Sequence, residues 1–511
     1  MTRKQILANP LAAWMMPAML VIGALVSVGR SYSGEIPAGL GYTIELEQVD
    51  AGSLQVAVTL PPGTLEVSVA SWGGADHLPA SWSTYIGELR AVDGAGDEVS
   101  VQSAEPGRWR LREATVPITL TYRVDLAYAE PGWPVGQEQA GWRDGTTIYS
   151  VTRPLFVSPD SWKDIPVRFD LPEGWSAQAP WPEHEGANAF LVPGVDELRN
   201  NAVVLGTPRV AMSSRGGLRV RLILLDQEAD PEAVIRVFEA VSARYLEVFP
   251  ETPADIFQLV VMRLDVNDGE GFRNGATFTL DQPLTEASLV GWADLLAHEL
   301  LHYWNGRRIR AQDRAAHRWF SEGFTEFVSN RTLVRVGVLP SSYMLAKIEK
   351  NAGLYALYLH HREEPLQGLA AAGAHGGLER LAVYNGGWLM AMCSDLIIRQ
   401  HTDGAGDVDQ LLGELYERFG DQDRRFTADD FRAVASEVGG PALAEFLDAH
   451  ATGSQPVDQL ACLRKAGLGV SLAGYSGEAW VYELEDSDNR QLDARSAILG
   501  GSAPFGAATP R

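Results

Sequence analysis

Cysteine is scarce in this chain: Cys393 and Cys462 are the only two among 511 residues. That count excludes a disulfide-stapled scaffold. One bridge is open to them. However, Cys393 falls in an apolar helical run and Cys462 near the end of the globular part, so two separately buried thiols are expected. Neither makes a zinc-ligand spacing with the other. Positive charge is also short. The 42 lysines and arginines face 66 aspartates and glutamates, a formal net charge of −24. Such a balance does not suit nucleic acid or an anionic membrane surface as a partner. The acid is spread along the chain, as on a solvated surface. No internal repeat is evident.

With 46% hydrophobic residues, the chain can bury more than one core, and roughly two to four domains are expected. Residues 1–33 stand apart. Arg3 and Lys4 precede a stretch without charge from Gln5 to Gly29, followed by small residues such as Ser31 and Ser33. This reads as a secretory signal or as an uncleaved N-terminal anchor. No cysteine follows, so a lipoprotein is not expected. Either way the rest is exported: periplasmic, secreted or attached to the outer face of the membrane.

From Gly41 to Pro159 apolar and polar residues alternate, as in Tyr42-Thr43-Ile44-Glu45-Leu46 and Ile118-Thr119-Leu120-Thr121-Tyr122. This predicts an antiparallel β-sandwich or saddle, and short strands continue beyond it, so residues 34–215 form an N-terminal β domain. Trp72, Trp82, Trp109, Trp133 and Trp142 read as packing residues. Asp230-Pro231 opens a helix to about Val248, and Phe257 to Leu264 reads as a strand. Helices are predicted over Ser341 to His361, Leu381 to His401, Asp407 to Phe419, Thr427 to Val438 and Val457 to Ala466. Thr427 and Asp430 make a capping box. Val470 to Glu485 suggests a hairpin and Gly500 to Arg511 a disordered tail. The divisions after the β domain are thus 216–400, 401–470 and 471–511, in a multidomain α+β chain.

The chemistry centres on Trp292-Ala293-Asp294-Leu295-Leu296-Ala297-His298-Glu299-Leu300-Leu301-His302. Apolar residues recur there at helical spacing. On a helix, His298 and His302 stand on one face and can aim at one metal ion. Glu299 lies beside that face, in reach of a water as general base. Glu322, in a second amphipathic stretch, supplies the carboxylate of a His-His-Glu zinc site with an open fourth position, one Zn2+ per chain. Glu326 shares a face with Glu322 and can orient a ligand histidine; Asp294 is a rival for that task. His317, His360, His361 and His375 are not expected to bind the metal.

The strings His298-Glu299-Leu300-Leu301-His302-Tyr303-Trp304-Asn305 and Trp319-Phe320-Ser321-Glu322-Gly323-Phe324-Thr325 resemble the glycyl-aminopeptidase family of zinc metallopeptidases. That family is related to aminopeptidase N among the thermolysin-like gluzincins. The resemblance implies a thermolysin-like catalytic domain with a small mixed sheet and an active-site helix. It implies that His298, His302 and Glu322 hold zinc, that Glu299 is the base, and that Tyr384, in Tyr384-Asn385-Gly386, donates to the oxyanion. It also implies a sheet edge beside the zinc, here Asn274 to Leu280, so that Asn274, Gly275 and Ala276 would bind substrate backbone. The family keeps a glutamate nearby for the substrate's free amine. Here Gly271 and Phe272 fall at that place, and Glu270, one position away, is the substitute. Glu270 and Asp268 otherwise read as a solvated turn. The remaining length after the helical region does not admit a full PDZ domain.

The reading is a zinc peptidase acting on peptides or proteins, aminopeptidase-like. The alternatives are a zinc endopeptidase or other zinc hydrolase without free-amine specificity, and a non-catalytic envelope binding protein on the same fold.

Overall fold

The computed structural model describes residues 39–46, 52–111, 116–130, 136–214, 218–225, 228–252, 256–362, 368–372, 377–422 and 424–501. The N-terminal segment 1–33, Trp133, His375 and the tail from 502 onward lie outside them.

The chain begins in β structure. A six-stranded sheet has the order Ala189–Gly194, Lys163–Asp170, Gly41–Glu45, Ser53–Leu60, Ile118–Asp125, Ile86–Asp93. The alternation seen in sequence becomes its burial pattern: every second residue of Ser53–Leu60 is buried. The expectation of a purely antiparallel arrangement does not hold, because Gly41–Glu45 runs parallel to Lys163–Asp170. Period two is common to both directions, so alternation could not distinguish them. A four-stranded sheet, ordered Ser176–Gln178, Ala202–Gly206, Thr147–Val151, Gly141–Arg143, lies in the same region. Of the tryptophans, Trp82 is fully buried, whereas Trp72 is 38% exposed.

The next sheet positions the site. Its order is Arg209–Ser213, Val220–Leu224, Phe257–Arg263, Gly275–Leu280, Asp268–Phe272. The middle strands are apolar throughout, as strands covered on both faces are. Leu222, Leu224, Leu259, Val261 and Phe278 face the core shared with helix Pro231–Val248 and the motif helix Leu289–Leu301. Ile223, Val260, Met262 and Phe272 join the core of the N-terminal β region instead. The expectation that Asn274 to Leu280 forms the open edge is overturned. Gly275–Leu280 is bonded on both sides, parallel to Phe257–Arg263 and antiparallel to Asp268–Phe272. The free edge is Asp268–Phe272. Asn274 and Ala276 are buried, and a Cβ on Gly275 would meet the Gln258 backbone at 2.1 Å.

Helices make up most of the remaining chain. Ser341–His361 forms as expected, and Thr427 and Asp430 cap the helix Ala428–Leu447, which kinks at Gly440 (φ 71°). Their apolar faces share one core with the motif helix, extending as far as Ile498. Leu468–Ala473 and Glu478–Glu483 form the hairpin. The segment after the hairpin is not all disordered tail: Asn489–Ile498 is a helix, with Asp488 and Gln491 as its capping box.

The cysteines also depart from expectation. Cys393, in helix Gly387–His401, and Cys462, in helix Gln459–Arg464, form a disulfide with Cα atoms 5.3 Å apart. The chain between them folds back on itself, a proximity that a separation of 69 residues hides. Closing so long a loop restricts the unfolded chain. Replacing both by serine should lower stability by roughly 2–4 kcal/mol, read from the urea midpoint. An unchanged midpoint would show that the bridge does not stabilise.

Candidate metal centre

The motif helix is held at its start by a capping box between Thr285 and Ser288, and the Trp292 indole donates to the Thr285 carbonyl at 3.0 Å. Trp292, Leu296 and Leu300 turn into the core. That leaves His298, Glu299 and His302 on the wall of a cavity of about 940 Å³. The two Nε2 atoms are 3.0 Å apart. Glu322 Oε2 lies 3.7 Å from the first and 3.6 Å from the second. Three donors from two separate stretches therefore meet at one point.

Each ligand imidazole is oriented from behind. His298 Nδ1 donates to Glu326 Oε2 at 3.1 Å, and His302 Nδ1 to the Asn305 carbonyl at 3.0 Å. Both Nδ1 atoms thus carry a proton, and both Nε2 atoms face the cavity. Burial opposes charge on His298, yet Glu322 and Glu326 raise its pKa well above the ordinary value. Burial likewise opposes ionisation of Glu322, but the two histidines hold its pKa well below the usual range. Glu326 also accepts from Lys347 Nζ at 2.9 Å. Asp294 does not compete for an imidazole: its partners are Lys347 at 2.5 Å and Asn330 at 2.6 Å. It acts one step further out, through Lys347. Glu326→Ala should weaken metal affinity roughly 10–100-fold, measured by chelator competition. An unchanged affinity would remove Glu326 from the site.

Glu299 is buried against the free edge. A Cβ on Gly269 would come within 2.7 Å of Glu299 Oε1, and one on Gly271 within 3.1 Å of Oε2. Glycine at both positions lets this carboxylate lie on the strand backbone. Burial raises its pKa, against the pull of His302 and His298. Glu270, on the same strand, is not in a solvated turn. It lines the cavity, pairs with the buried Arg153 of the β region, and has Arg307 at 3.9 Å. Arg153 also lies over the Phe272 ring at 5.5 Å.

Behind that edge, Glu138 is fully buried, with neither carboxylate oxygen partnered among the described residues. Burial raises its pKa to about 7, beyond what its own backbone offsets, and Asp268 and Glu270 add to the rise. The folded protein therefore holds a proton there that the unfolded chain releases. The resulting stability is complete below about pH 4.5 and is lost as pH rises to about 7. Glu138→Gln should flatten that slope, by up to about 3 kcal/mol in urea titrations. A slope equal to the parent's would contradict this.

Tyr384 and Glu322 each stand on a π-helical turn, Ala382–Gly386 and Trp319–Phe324. Burial, followed by the nearby Glu322 carboxylate, pushes the pKa of the Tyr384 hydroxyl well up. The two turns touch through glycine: a Cβ on Gly323 would stand 2.2 Å from the Gly387 carbonyl carbon. Asn305 ties the second turn down, donating to Thr325 Oγ1 at 3.0 Å and to the Phe320 carbonyl at 3.4 Å. Sequence reasoning missed Lys347, Arg153 and this glycine contact. Glycine directly after Glu322, and a glycine pair after Tyr384, were the available signals.

Two family models match the sequence: the Peptidase M61 N-terminal domain over residues 41–207 and M61 glycyl aminopeptidase over residues 291–370. Over those two stretches the chain is matched by the M61 peptidase family. No curated protein matches it. Among solved structures, this chain is similar to an aminopeptidase N family protein from Idiomarina loihiensis. The identity is 17% and the TM-score 0.72, over 84% of this chain and 79% of that one. It is also similar to an M1 zinc metallopeptidase variant from Deinococcus radiodurans bound to a Tyr-Ser-Ala substrate. There the identity is 15% and the TM-score 0.52, over 81% and 94% of the two chains. At these identities the likeness shows the shared fold: a β-rich N-terminal region and a largely helical C-terminal one.

Proposed function

We propose that this chain is a zinc-dependent peptidase with a thermolysin-like catalytic region, cleaving peptides from a free amino end. The observation that carries the reading is the meeting of His298, His302 and Glu322 beside a buried carboxylate and a half-buried tyrosine. The donor set fits zinc: two neutral imidazole nitrogens and one ionised carboxylate, with cavity on the open side. A zinc ion bound there supplies Lewis acidity, polarising a carbonyl and lowering the pKa of water to about 7.

The protein's own groups do the rest. Glu299 takes a proton from the attacking water and returns it to the departing nitrogen. Tyr384 donates its hydroxyl hydrogen to the carbonyl oxygen as negative charge grows there, and its raised pKa keeps that proton in place. The free edge Asp268–Phe272 can pair with an extended substrate backbone. Glu270, facing the cavity from that edge, holds the substrate's amine. A structural neighbour bound to a Tyr-Ser-Ala substrate supports a peptide as the substrate class. The Cys393–Cys462 bridge supports export, by signal or anchor, to an oxidising compartment.

The test is a zinc assay joined to hydrolysis of paired peptides with free and acetylated amino ends. Cleavage of the free member alone supports the aminopeptidase. Equal cleavage of both would favour an endopeptidase on the same centre. Purified protein that takes up no zinc would end the proposal.

A further inference from the structure

The chain is acidic overall, yet one wall of its cavity is basic. Arg307, Arg310, Arg314, Arg318 and Arg380 all line it. Four of these five come from the single loop between His302 and Glu322. Arg307 has Glu270 at 3.9 Å, and the carboxylates of the cavity are otherwise engaged. Glu270 is engaged by Arg153, and Asp294 and Glu326 by Lys347. Glu322 faces the histidines, Asp268 turns back on the Gly269 amide, and Glu299 lies against the sheet edge. Arg314, Arg318 and Arg380 make no ion pair among the described residues. Arg314 is disfavoured as a cation by burial and then by Arg307, Arg425 and Arg310. Like charges gathered in a concave, partly desolvated wall are costly unless an anion arrives, and they focus the field that draws one in.

Arg318 and Arg380 are the two whose charge reaches the Tyr384 hydroxyl. Arg318 immediately precedes the turn that carries Glu322. The Arg380 guanidinium lies 5.0 Å above the Tyr384 ring. A planar guanidinium takes a carboxylate through two parallel hydrogen bonds.

We propose that Arg318 and Arg380 bind a carboxylate of the substrate beyond the scissile bond. The preferred substrates are then short peptides with a negative charge in the departing part. This rests on the peptidase reading above. A peptide with its amine at Glu270 and its first carbonyl between Glu299 and Tyr384 places its next residue against these arginines. The carboxylate can be a chain terminus or an acidic side chain.

Two substrate pairs on the zinc-loaded enzyme distinguish these sources. Ala-Ala is compared with its C-terminal amide, and Ala-Glu amide with Ala-Gln amide. The charged member of at least one pair should have the higher kcat/KM, by about tenfold or more. An advantage in the first pair identifies the terminal carboxylate, and in the second the side chain. The double variant Arg318→Gln, Arg380→Gln should reduce that ratio about tenfold; the ratio cancels any loss common to both members. If the variant does not fold, the parent enzyme still decides: the advantage should shrink as salt is raised, because screening weakens the contact. Equal rates within both pairs, or a ratio indifferent to salt, overturn this inference alone. If none of the four is cleaved, the peptidase reading falls and takes this inference with it.

Discussion

Glu299→Gln is expected to keep the metal and to lose roughly a hundredfold to ten-thousandfold in kcat, the usual worth of a positioned proton-transfer group. The substitution preserves the volume that lies against Gly269 and Gly271, so the edge strand need not move. It leaves His298, His302 and Glu322 untouched. What it removes is the basic oxygen. The measurement is turnover of a free-amine dipeptide beside zinc content by elemental analysis. Normal turnover with zinc bound would sink the assignment of the base, whereas loss of both would mean that Glu299 serves the metal itself.

The second large effect is expected from Gly323→Ala. An added methyl there meets the backbone of Gly387 and Trp388 at 2.2–2.6 Å, with no flexible side chain to give way. The two π-helical turns must separate, and with them Glu322 and Tyr384. Overpacking of this kind costs about 1–3 kcal/mol or more, so the thermal midpoint should fall. Because the displaced groups are the proposed metal ligand and the proposed oxyanion donor, activity should fall by far more than the stability change explains. Gly291 is the control. It lies on the same helix as the histidines, with open space around it, and alanine there should be neutral or slightly stabilising. Equal behaviour of the two variants would mean that the glycine contact does not hold the centre together.

The geometry of the candidate metal centre was legible where it depends on local periodicity. Residues four apart on an uninterrupted helix share a face whatever surrounds them, so His298 and His302 could be placed from the sequence. Glu322 needed two stretches to meet, and it was chosen by the ligand set a zinc site wants and by a resemblance, not by spacing. The misses were non-local. Which strand lies at the sheet edge depends on pairing order, and Asp268–Phe272 folds back outside Gly275–Leu280 although it comes first in the chain. Glu270 looked like a loop acid because glycines flank it. Those glycines instead make room for Glu299, and the partner of Glu270 lies far back in the sequence, at Arg153. The cysteine pair was hidden in the same way.

One face of the five-stranded sheet has a further bearing on how the protein can be handled. Ile223, Val260, Met262 and Phe272 are covered by the N-terminal β region rather than by the helices. Baring four such side chains would forfeit roughly 6–12 kcal/mol, as much as a whole domain's usual margin of stability. A proteolytic fragment or recombinant piece starting near residue 216 would therefore not be a minimal enzyme. It should precipitate or require detergent, and the edge strand Asp268–Phe272 would lose the arginine that steadies it.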